Sequence, residues 1–161
     1  MILYTRFRKD DRIGFAQLKD KTLCVLDGDY MQGDAELTGE MIALEEVTLL
    51  APVVPPNIIC IGLNYKPHAA EAEMKLPDIP LIFIKSTNAL ANPGDAIVLP
   101  RIAPDCVDYE GELAIVIGRT AKNVSEEDAL DYVFGYTIAN DVSARDCQLH
   151  IDSQWARGKS F

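Results

Sequence analysis

The segment DYEGELAIVIG, residues 108–118, begins with acidic residues and continues as an apolar run. Residues two positions apart on a β-strand point to the same face with Cα atoms roughly 6–7 Å apart, so Glu110 and Glu112 would share a face. Two carboxylates beside an apolar region repel each other unless one takes a proton or a cation lies between them. The segment therefore predicts a buried strand with a candidate cation site at its start; a charged strand end in solvent is the simpler alternative.

Short apolar runs continue on both sides of this segment. They predict a mostly β fold with short helices, of the α+β class. Further strands are predicted at residues 57–62, 81–85, 96–100 and 134–141. A proline suited to a first helical turn, a Ser-x-x-Asp capping pattern and a short polar segment predict helices at residues 64–75, 125–133 and 143–150.

The first fifty residues form a separate pattern. Residues 2–8, 12–19 and 22–27 are β-rich and joined by short polar turns, which predicts a small antiparallel unit. A turn-rich stretch follows, and the pair Pro55–Pro56 marks a boundary. We therefore expect a small N-terminal β domain over residues 1–54 and the start of a second domain over residues 55–161.

Composition excludes several classes of partner. The chain has 161 residues, 48% of them hydrophobic, and a formal net charge of −10 at pH 7. Nucleic-acid binding needs a basic face, so we expect no nucleic-acid partner. No segment reaches the roughly 18 apolar residues of a membrane span, and the first residues lack the apolar core of a secretory signal. The four cysteines form no C-x-x-C pair, so we expect a reduced, cytoplasmic protein without a membrane partner.

A third acid, Asp141, ends the predicted strand at residues 134–141. Together with Glu110 and Glu112 it would supply three hard oxygen ligands, which suit Mg²⁺ or Mn²⁺, and also Ca²⁺, better than zinc. About three positions of an octahedral shell would remain for water or substrate, and a 2-oxo acid could fill two of them. A strand-ending Asn-Asp turn is the structural alternative for Asp141.

His68 and Glu71 are three residues apart in a predicted helix and would share a face. Glu71 could then orient the imidazole of His68, which would act as a general base. An exposed helical His–Glu pair without function is the alternative.

Arg145 and Gln148 have the same spacing and could direct a guanidinium and an amide at one anion. The alternative is a surface helix that carries an ion pair.

Five blocks of sequence, in this order, resemble the fumarylacetoacetate hydrolase family: GLNYKPHAAE (62–71), PLIFIKSTNAL (80–90), DYEGELAIVIG (108–118), GYTIANDVSARD (135–146) and GKSF (158–161). The preceding fifty residues resemble the small N-terminal β domain of many bacterial and archaeal members. The resemblance implies a mixed β-roll catalytic domain and a homodimer. Because family members continue beyond the GKSF block with further strands, we expect residues 1–161 to be a fragment with an incomplete roll.

The resemblance also implies site residues. A divalent cation would be held by Glu110, Glu112 and Asp141, and His68 with Glu71 would activate water or move a proton. The remaining matches are a lysine near the metal and four positions at the substrate: Lys159, Tyr65, Lys85, Arg145 and Gln148.

The implied substrate is a small 2-oxo or 1,3-diketo acid, with C–C hydrolysis of an acylpyruvate as the first hypothesis. Isomerisation of a 2-hydroxyhepta-2,4-diene-1,7-dioate type acid and decarboxylation of an oxaloacetate type acid are alternatives that the same residues would serve. A catalytically incomplete metal-binding fragment is the alternative of another class.

Overall fold

The computed structural model describes residues 1–71 and 73–161. It divides into two compact units, residues 1–56 with 90–96, and residues 57–89 with 97–161. Both are built from strands with a few short helices, so the predicted fold class is confirmed. No helix within the described ranges is long and apolar enough to cross a membrane.

The first unit is a five-stranded antiparallel sheet in the order β4-β3-β2-β1-β5. Its strands are β1 (Leu3–Lys9), β2 (Arg12–Lys19), β3 (Thr22–Leu26), β4 (Leu37–Ala43) and β5 (Thr48–Leu50). The first three were predicted, whereas β4 begins inside the stretch that the sequence marked as turn-rich. A 3₁₀ turn at Leu44–Glu46 connects the last two strands.

Alternation of side chains builds the core of this unit. Phe7 pairs opposite Gly14, and the ring of Phe7 occupies the space that a Cβ at Gly14 would need. The two tight hairpins turn at Asp10 and Asp20, which both have φ of 52°. Aspartate tolerates that left-handed region better than most residues. The buried cluster comprises Phe7, Ala16, Leu23, Val25 and Ile42.

Three antiparallel strand pairs form the second unit. They are β6 (Ile58–Gly62) with β7 (Leu81–Lys85), β9 (Gly111–Ile117) with β10 (Val133–Asn140), and the short β8 (Val107–Asp108) with β11 (Ser143–Ala144). Four of the predicted strands are therefore present. The fifth, at residues 96–100, is wrong: the segment has no assigned secondary structure, and Ile97, Val98 and Leu99 are exposed. Apolar β-branched residues favour a strand, but the segment has no hydrogen-bonded neighbour in the described structure.

The helices of this unit are short. They are α1 (Lys66–Glu71), a 3₁₀ turn at Thr87–Ala89, a 3₁₀ turn at Ala129–Tyr132, a π-helical turn at Cys147–Ile151 and α2 (Ala156–Lys159). Of the helix predicted at residues 125–133, only the 3₁₀ turn at Ala129–Tyr132 is present. The capping pattern instead closes a loop, in which the Ser125 hydroxyl donates to Asp128 and accepts from the Asp128 backbone N–H. The helix predicted at residues 143–150 begins only after β11.

Candidate metal centre and active site

Glu110, Glu112 and Asp141 come together, each offering an oxygen within 4.8 Å of the others. The pairing of β9 with β10 places them, because Glu112 lies opposite Ala139 and the two strands end at Gly111 and Asn140. Two hydrogen bonds join the residues beyond these ends. The Asp141 backbone N–H donates to the Glu110 carbonyl (2.9 Å), and the Glu110 N–H donates to the Asn140 side-chain oxygen (3.0 Å). The predicted cluster therefore exists as a geometric unit.

Two lysines hold this cluster. Lys159 at the end of α2 is 2% exposed, and its ammonium donates to Glu110 Oε2 (2.9 Å) and Asp141 Oδ2 (2.8 Å). Lys85 at the end of β7 donates to the other oxygen of Asp141 (2.7 Å) and to the Val142 carbonyl (3.2 Å). A buried carboxylate needs such partners, since an unpaired buried charge is strongly destabilising. Both lysines were expected near the site, and both contact it directly.

Arg145 and Ser143 lie on the other side of Glu110. The Arg145 guanidinium is 2.7 Å from Glu110 Oε1, and its Nε donates to Asp108 Oδ2 (2.8 Å). The fully buried Ser143 hydroxyl is within hydrogen-bonding distance of Glu110 Oε1 and of the Asp141 carbonyl, 3.0 Å from each. Arg145 also donates to Gln148 Oε1 (2.8 Å). The structure thus joins Arg145 and Gln148 to each other.

These contacts separate the two glutamates electrostatically. Burial on its own would raise the pKa of Glu110, but hydrogen bonds from Lys159 and Ser143 and the charges of Lys159 and Arg145 outweigh it, and the pKa is lowered. Burial, together with the charges of Asp141 and Glu110, raises the pKa of Glu112, which has a hydrogen bond with the Asn64 side chain. The ionised form of Glu112 is therefore less stabilised than the ionised form of Glu110.

The three carboxylates fit a divalent cation. Hard cations such as Mg²⁺ and Ca²⁺ bind oxygens at about 2.0–2.6 Å, so oxygens around one ion lie a few ångströms apart. The three carboxylate oxygens of this cluster lie within 4.8 Å of one another, close enough to surround one ion. A carboxylate oxygen that accepts a hydrogen bond from lysine retains a lone pair for a cation. The donor set contains no sulfur or nitrogen, which favours a hard ion over zinc.

His68 and Glu71 both lie on α1, as predicted, but they are more loosely placed. The distance from His68 Nδ1 to Glu71 Oε2 is 3.9 Å, beyond a hydrogen bond, and the two side chains are 49% and 86% exposed. Among the described residues, the carboxylate groups of the cluster have hydrogen bonds or ion pairs with Asn64, Lys85, Ser143, Arg145 and Lys159. His68 and Glu71 are not part of that set.

The side chain of Tyr65 binds a backbone group of β9. Its hydroxyl accepts a hydrogen bond from the Leu113 N–H (3.0 Å), which ties the residue before α1 to the start of β9. Its side chain is exposed.

Sequence reasoning missed Ser143, Asp108, Asn140 and Asn64. Ser143 could have been predicted, because Ser143 follows Asp141 by two positions, the same spacing that linked Glu110 and Glu112. Asp108 lies in the opening segment itself, but only the pairing of β8 with β11, in which Asp108 faces Ser143, brings it to Arg145. Asn64 and Asn140 carry no charge, so nothing in the sequence distinguished them from loop residues.

Comparison with known proteins shows the family of this chain. Residues 57–161 match the family model described as fumarylacetoacetate (FAA) hydrolase C-terminal, and residues 3–52 match Rv2993c-like, N-terminal. A fumarylacetoacetate hydrolase domain-containing protein 2 homolog from Dictyostelium discoideum is 54% identical over 126 residues, which cover 78% of this chain and 41% of that protein. Oxaloacetate tautomerase YisK from Bacillus subtilis is 46% identical over 130 residues, which cover 78% of this chain and 43% of that protein.

Among solved structures, a 2-hydroxyhepta-2,4-diene-1,7-dioate isomerase from Mycobacterium marinum superposes with a TM-score of 0.86 at 37% identity. The match covers 100% of this chain and 62% of that structure. The chain therefore spans less than half the length of the two curated relatives and about three fifths of the solved one.

Proposed function

The chain belongs to the fumarylacetoacetate hydrolase family, and from that premise we propose a divalent-cation-dependent enzyme that interconverts the keto and enol forms of a small 2-oxo dicarboxylic acid. The observation that carries the proposal is the carboxylate cluster of Glu110, Glu112 and Asp141, surrounded by Lys85, Arg145 and Lys159. A site that combines hard ligands with several fixed cations suits a reaction in which an oxygen gains negative charge. The tautomerase named among the relatives supports the same chemistry.

Glu110, Glu112 and Asp141 would hold Mg²⁺ or Mn²⁺, with Ca²⁺ as a weaker alternative. A cation held there would supply Lewis acidity to a keto oxygen, which would lower the cost of removing the neighbouring C–H proton. Lys85 and Lys159 fix two of the ligands in advance, since they donate to both carboxylate oxygens of Asp141 and to Oε2 of Glu110. The protein thereby avoids reorganising these side chains during the reaction.

Proton transfer falls to His68 in this proposal. A neutral imidazole would take the proton from the carbon next to the keto group, and the electron pair of that C–H bond would form the C=C bond of the enol. The π electron pair of the C=O bond would move to the keto oxygen, and the imidazolium of His68 would give its proton to that oxygen to complete the enol. Glu71, whose Oε2 lies 3.9 Å from His68 Nδ1, would stabilise the imidazolium between the two proton transfers through its negative charge.

Substrate recognition would use the remaining predicted residues. Arg145 lies between Asp108 and Gln148 and would turn its guanidinium toward a substrate carboxylate. The NH₂ group of Gln148 would donate to the same anion, because its carbonyl oxygen already accepts from Arg145. Tyr65 would line the substrate side of α1.

The direct test follows the decay of the enol absorbance of freshly dissolved oxaloacetate with purified protein and Mg²⁺. We expect a rate above the buffer rate that is lost on chelation and in Glu110→Gln, with Glu127→Gln as an exposed-acid control that keeps it. A rate equal to that of buffer with Mg²⁺ alone would refute the tautomerase proposal.

Hydrolysis of an acylpyruvate is the second candidate, and the His68–Glu71 pair favours it, because such a dyad can deprotonate water. The two functions differ in product: only hydrolysis releases pyruvate and a second carboxylic acid. Coupled detection of pyruvate from a short acylpyruvate therefore distinguishes them. Isomerisation of a dienoate diacid is supported by the solved relative of that name and would use the same proton transfer.

A non-catalytic metal-binding protein is the alternative from another class. It would bind Mn²⁺ with the same ligands but give no turnover in either assay. Assembly as a homodimer and a cytoplasmic location remain proposals alongside these.

A further inference from the structure

The buried ammonium of Lys159 has an aromatic neighbour that the proposed chemistry has not used. Two of its N–H bonds are accounted for by Glu110 and Asp141, and the ring centroid of Phe83 lies 5.2 Å from Nζ. A cation within about 6 Å of a ring centroid is attracted to the negative face of the ring. Phe83 therefore adds a third contact to the ammonium, beside its two carboxylate partners.

Phe83 is itself held in place. Trp155 contacts its ring edge-on, with centroids 5.3 Å apart and an interplanar angle of 71°. The indole in turn packs against Gly62, where a Cβ would come within 2.7 Å of it. Gly62 and Phe83 belong to the paired strands β6 and β7, and Phe83 shares its strand face with Lys85, two positions along.

We propose that Phe83, fixed by Trp155, is a positioning residue that holds the Lys159 ammonium between Glu110 and Asp141. Lys159 touches the reacting site, and Phe83 acts through it. Without the ring, the ammonium keeps its two carboxylate partners but gains freedom to move toward the space that the ring occupied. The spacing of the two carboxylates, which the ammonium bridges, is then less well defined.

Two readouts test this inference. The first is independent of activity: reductive methylation of amines followed by mass spectrometry, with the exposed lysines as internal references. We expect Lys159 to react slowly in the unmodified chain, several times faster in Phe83→Leu, and slowly again in Phe83→Tyr, which restores a ring. The second readout rests on the proposed function: kcat should fall about threefold to thirtyfold in Phe83→Leu with KM nearly unchanged, the fold-change that corresponds to a cation–π contact.

Phe15→Leu is the matched control. Phe15 has an edge-on aromatic neighbour, Tyr30, at 5.5 Å, and a cation, Arg6, at 6.0 Å, but belongs to the other compact unit. We expect that substitution to leave both Lys159 labelling and kcat unchanged. In a Lys159→Met background, Phe83→Leu should lower kcat no further, because the group that Phe83 positions is gone.

Unchanged labelling of Lys159 in Phe83→Leu would overturn the inference, as would fast labelling in a cooperatively folded Phe83→Tyr. If the unmodified chain turns over no 2-oxo acid, the proposed function fails, but the labelling comparison still decides the role of Phe83. If Lys159→Met does not fold, the Leu and Tyr variants decide it alone.

Discussion

Glu112 differs from the other two carboxylates of the cluster in its partners. Glu110 and Asp141 each accept a hydrogen bond from Lys159, whereas the hydrogen-bond partner of Glu112 is the Asn64 amide. Its raised pKa follows from burial and from the two neighbouring anions. A divalent cation would relieve that repulsion. The negative charge of Glu112 would therefore favour metal binding, but it destabilises the fold when no metal is bound.

Replacement of Glu112 by glutamine should weaken Mg²⁺ or Mn²⁺ binding by more than about tenfold, because a neutral amide oxygen is a much poorer ligand for a hard cation. Titration calorimetry on both proteins measures the change. Glu127→Gln, at an exposed position, is the control. Equal affinities of the Glu112 variant and the unmodified chain would remove Glu112 from the ligand set.

The same substitution should raise the melting temperature of the metal-free protein at pH 8. Because the pKa is raised in the folded state, stability is lost as the pH rises from the ordinary value through the raised pKa, and the loss is complete above it. Glutamine removes this cost, so the difference should disappear as the pH falls below 4.5, the ordinary value, where Glu112 is protonated in folded and unfolded chains alike. Thermal unfolding with chelator present, at both pH values, checks the sign; a lower melting temperature at pH 8 would contradict it.

Replacement of His68 distinguishes a role as general base from a role as metal ligand. His68→Ala should lower kcat by roughly 10²–10⁴, the usual effect of losing a positioned general base, while cation affinity stays the same because His68 is outside the carboxylate cluster. His150, the second of the two histidines and also exposed, provides the control substitution His150→Ala. Normal turnover by His68→Ala would exclude His68 as the base.

At the scale of elements, the glycines of the second unit show how the strands and helices of the site pack. Gly158 of α2 lies so close to β11 and the π-helical turn that a Cβ there would come within 2.8 Å of the Ala144 carbonyl oxygen and 2.9 Å of the Gln148 backbone nitrogen. This close approach brings Lys159, the next residue, to Glu110 and Asp141. The position of the lysine therefore depends on a missing side chain one residue away.

Gly158→Ala should consequently destabilise the chain by about 1–3 kcal/mol, the usual cost of forcing extra volume into a packed contact. Gly135→Ala in β10 is the matched control, since its Cβ would have no heavy atom within 4 Å, and its effect should be within about 0.5 kcal/mol. Denaturant unfolding of the three proteins gives the comparison. Equal stabilities of the two variants would show that α2 can shift without cost.

Sequence patterns predicted the elements whose information is local. The alternation in β1, β2, β3 and β9 and the acids at strand ends are visible in short windows, so these strands and the three carboxylates could be placed without a structure. The edge strand β4 is largely exposed and contains Gly39 with φ of 85°, so it gives no apolar alternation to detect. The contact of Lys159 with Glu110 joins residues 49 positions apart, and only the folded chain determines it.

At the scale of the whole molecule, the two compact units differ in how well each covers its apolar residues. The first unit buries a cluster that includes Phe7, Leu23 and Val25. In the second unit, one face of the β9–β10 pair exposes Leu113 opposite Ile138 and Ile115 opposite Tyr136. Sequence analysis predicted a buried strand at residues 108–118, and in this chain one face of β9 is open.

An open apolar face of this size should cause the chain to associate with itself. Burial is worth about 25 cal/mol per Å², so covering about 400 Å² would contribute about 10 kcal/mol before the entropy cost of association. Charges placed on the face should oppose this, because they would have to be desolvated.

We therefore expect residues 1–161 to form oligomers at micromolar concentration. The double substitution Ile115→Lys with Ile138→Lys should shift these oligomers toward monomer; Ile138 is 85% exposed. Ile13→Lys on β2 of the first unit, also exposed, should leave the distribution unchanged. Light scattering measured over a dilution series compares the three proteins; a monomer at every concentration of the unmodified chain would mean that this face is stable in water as it stands.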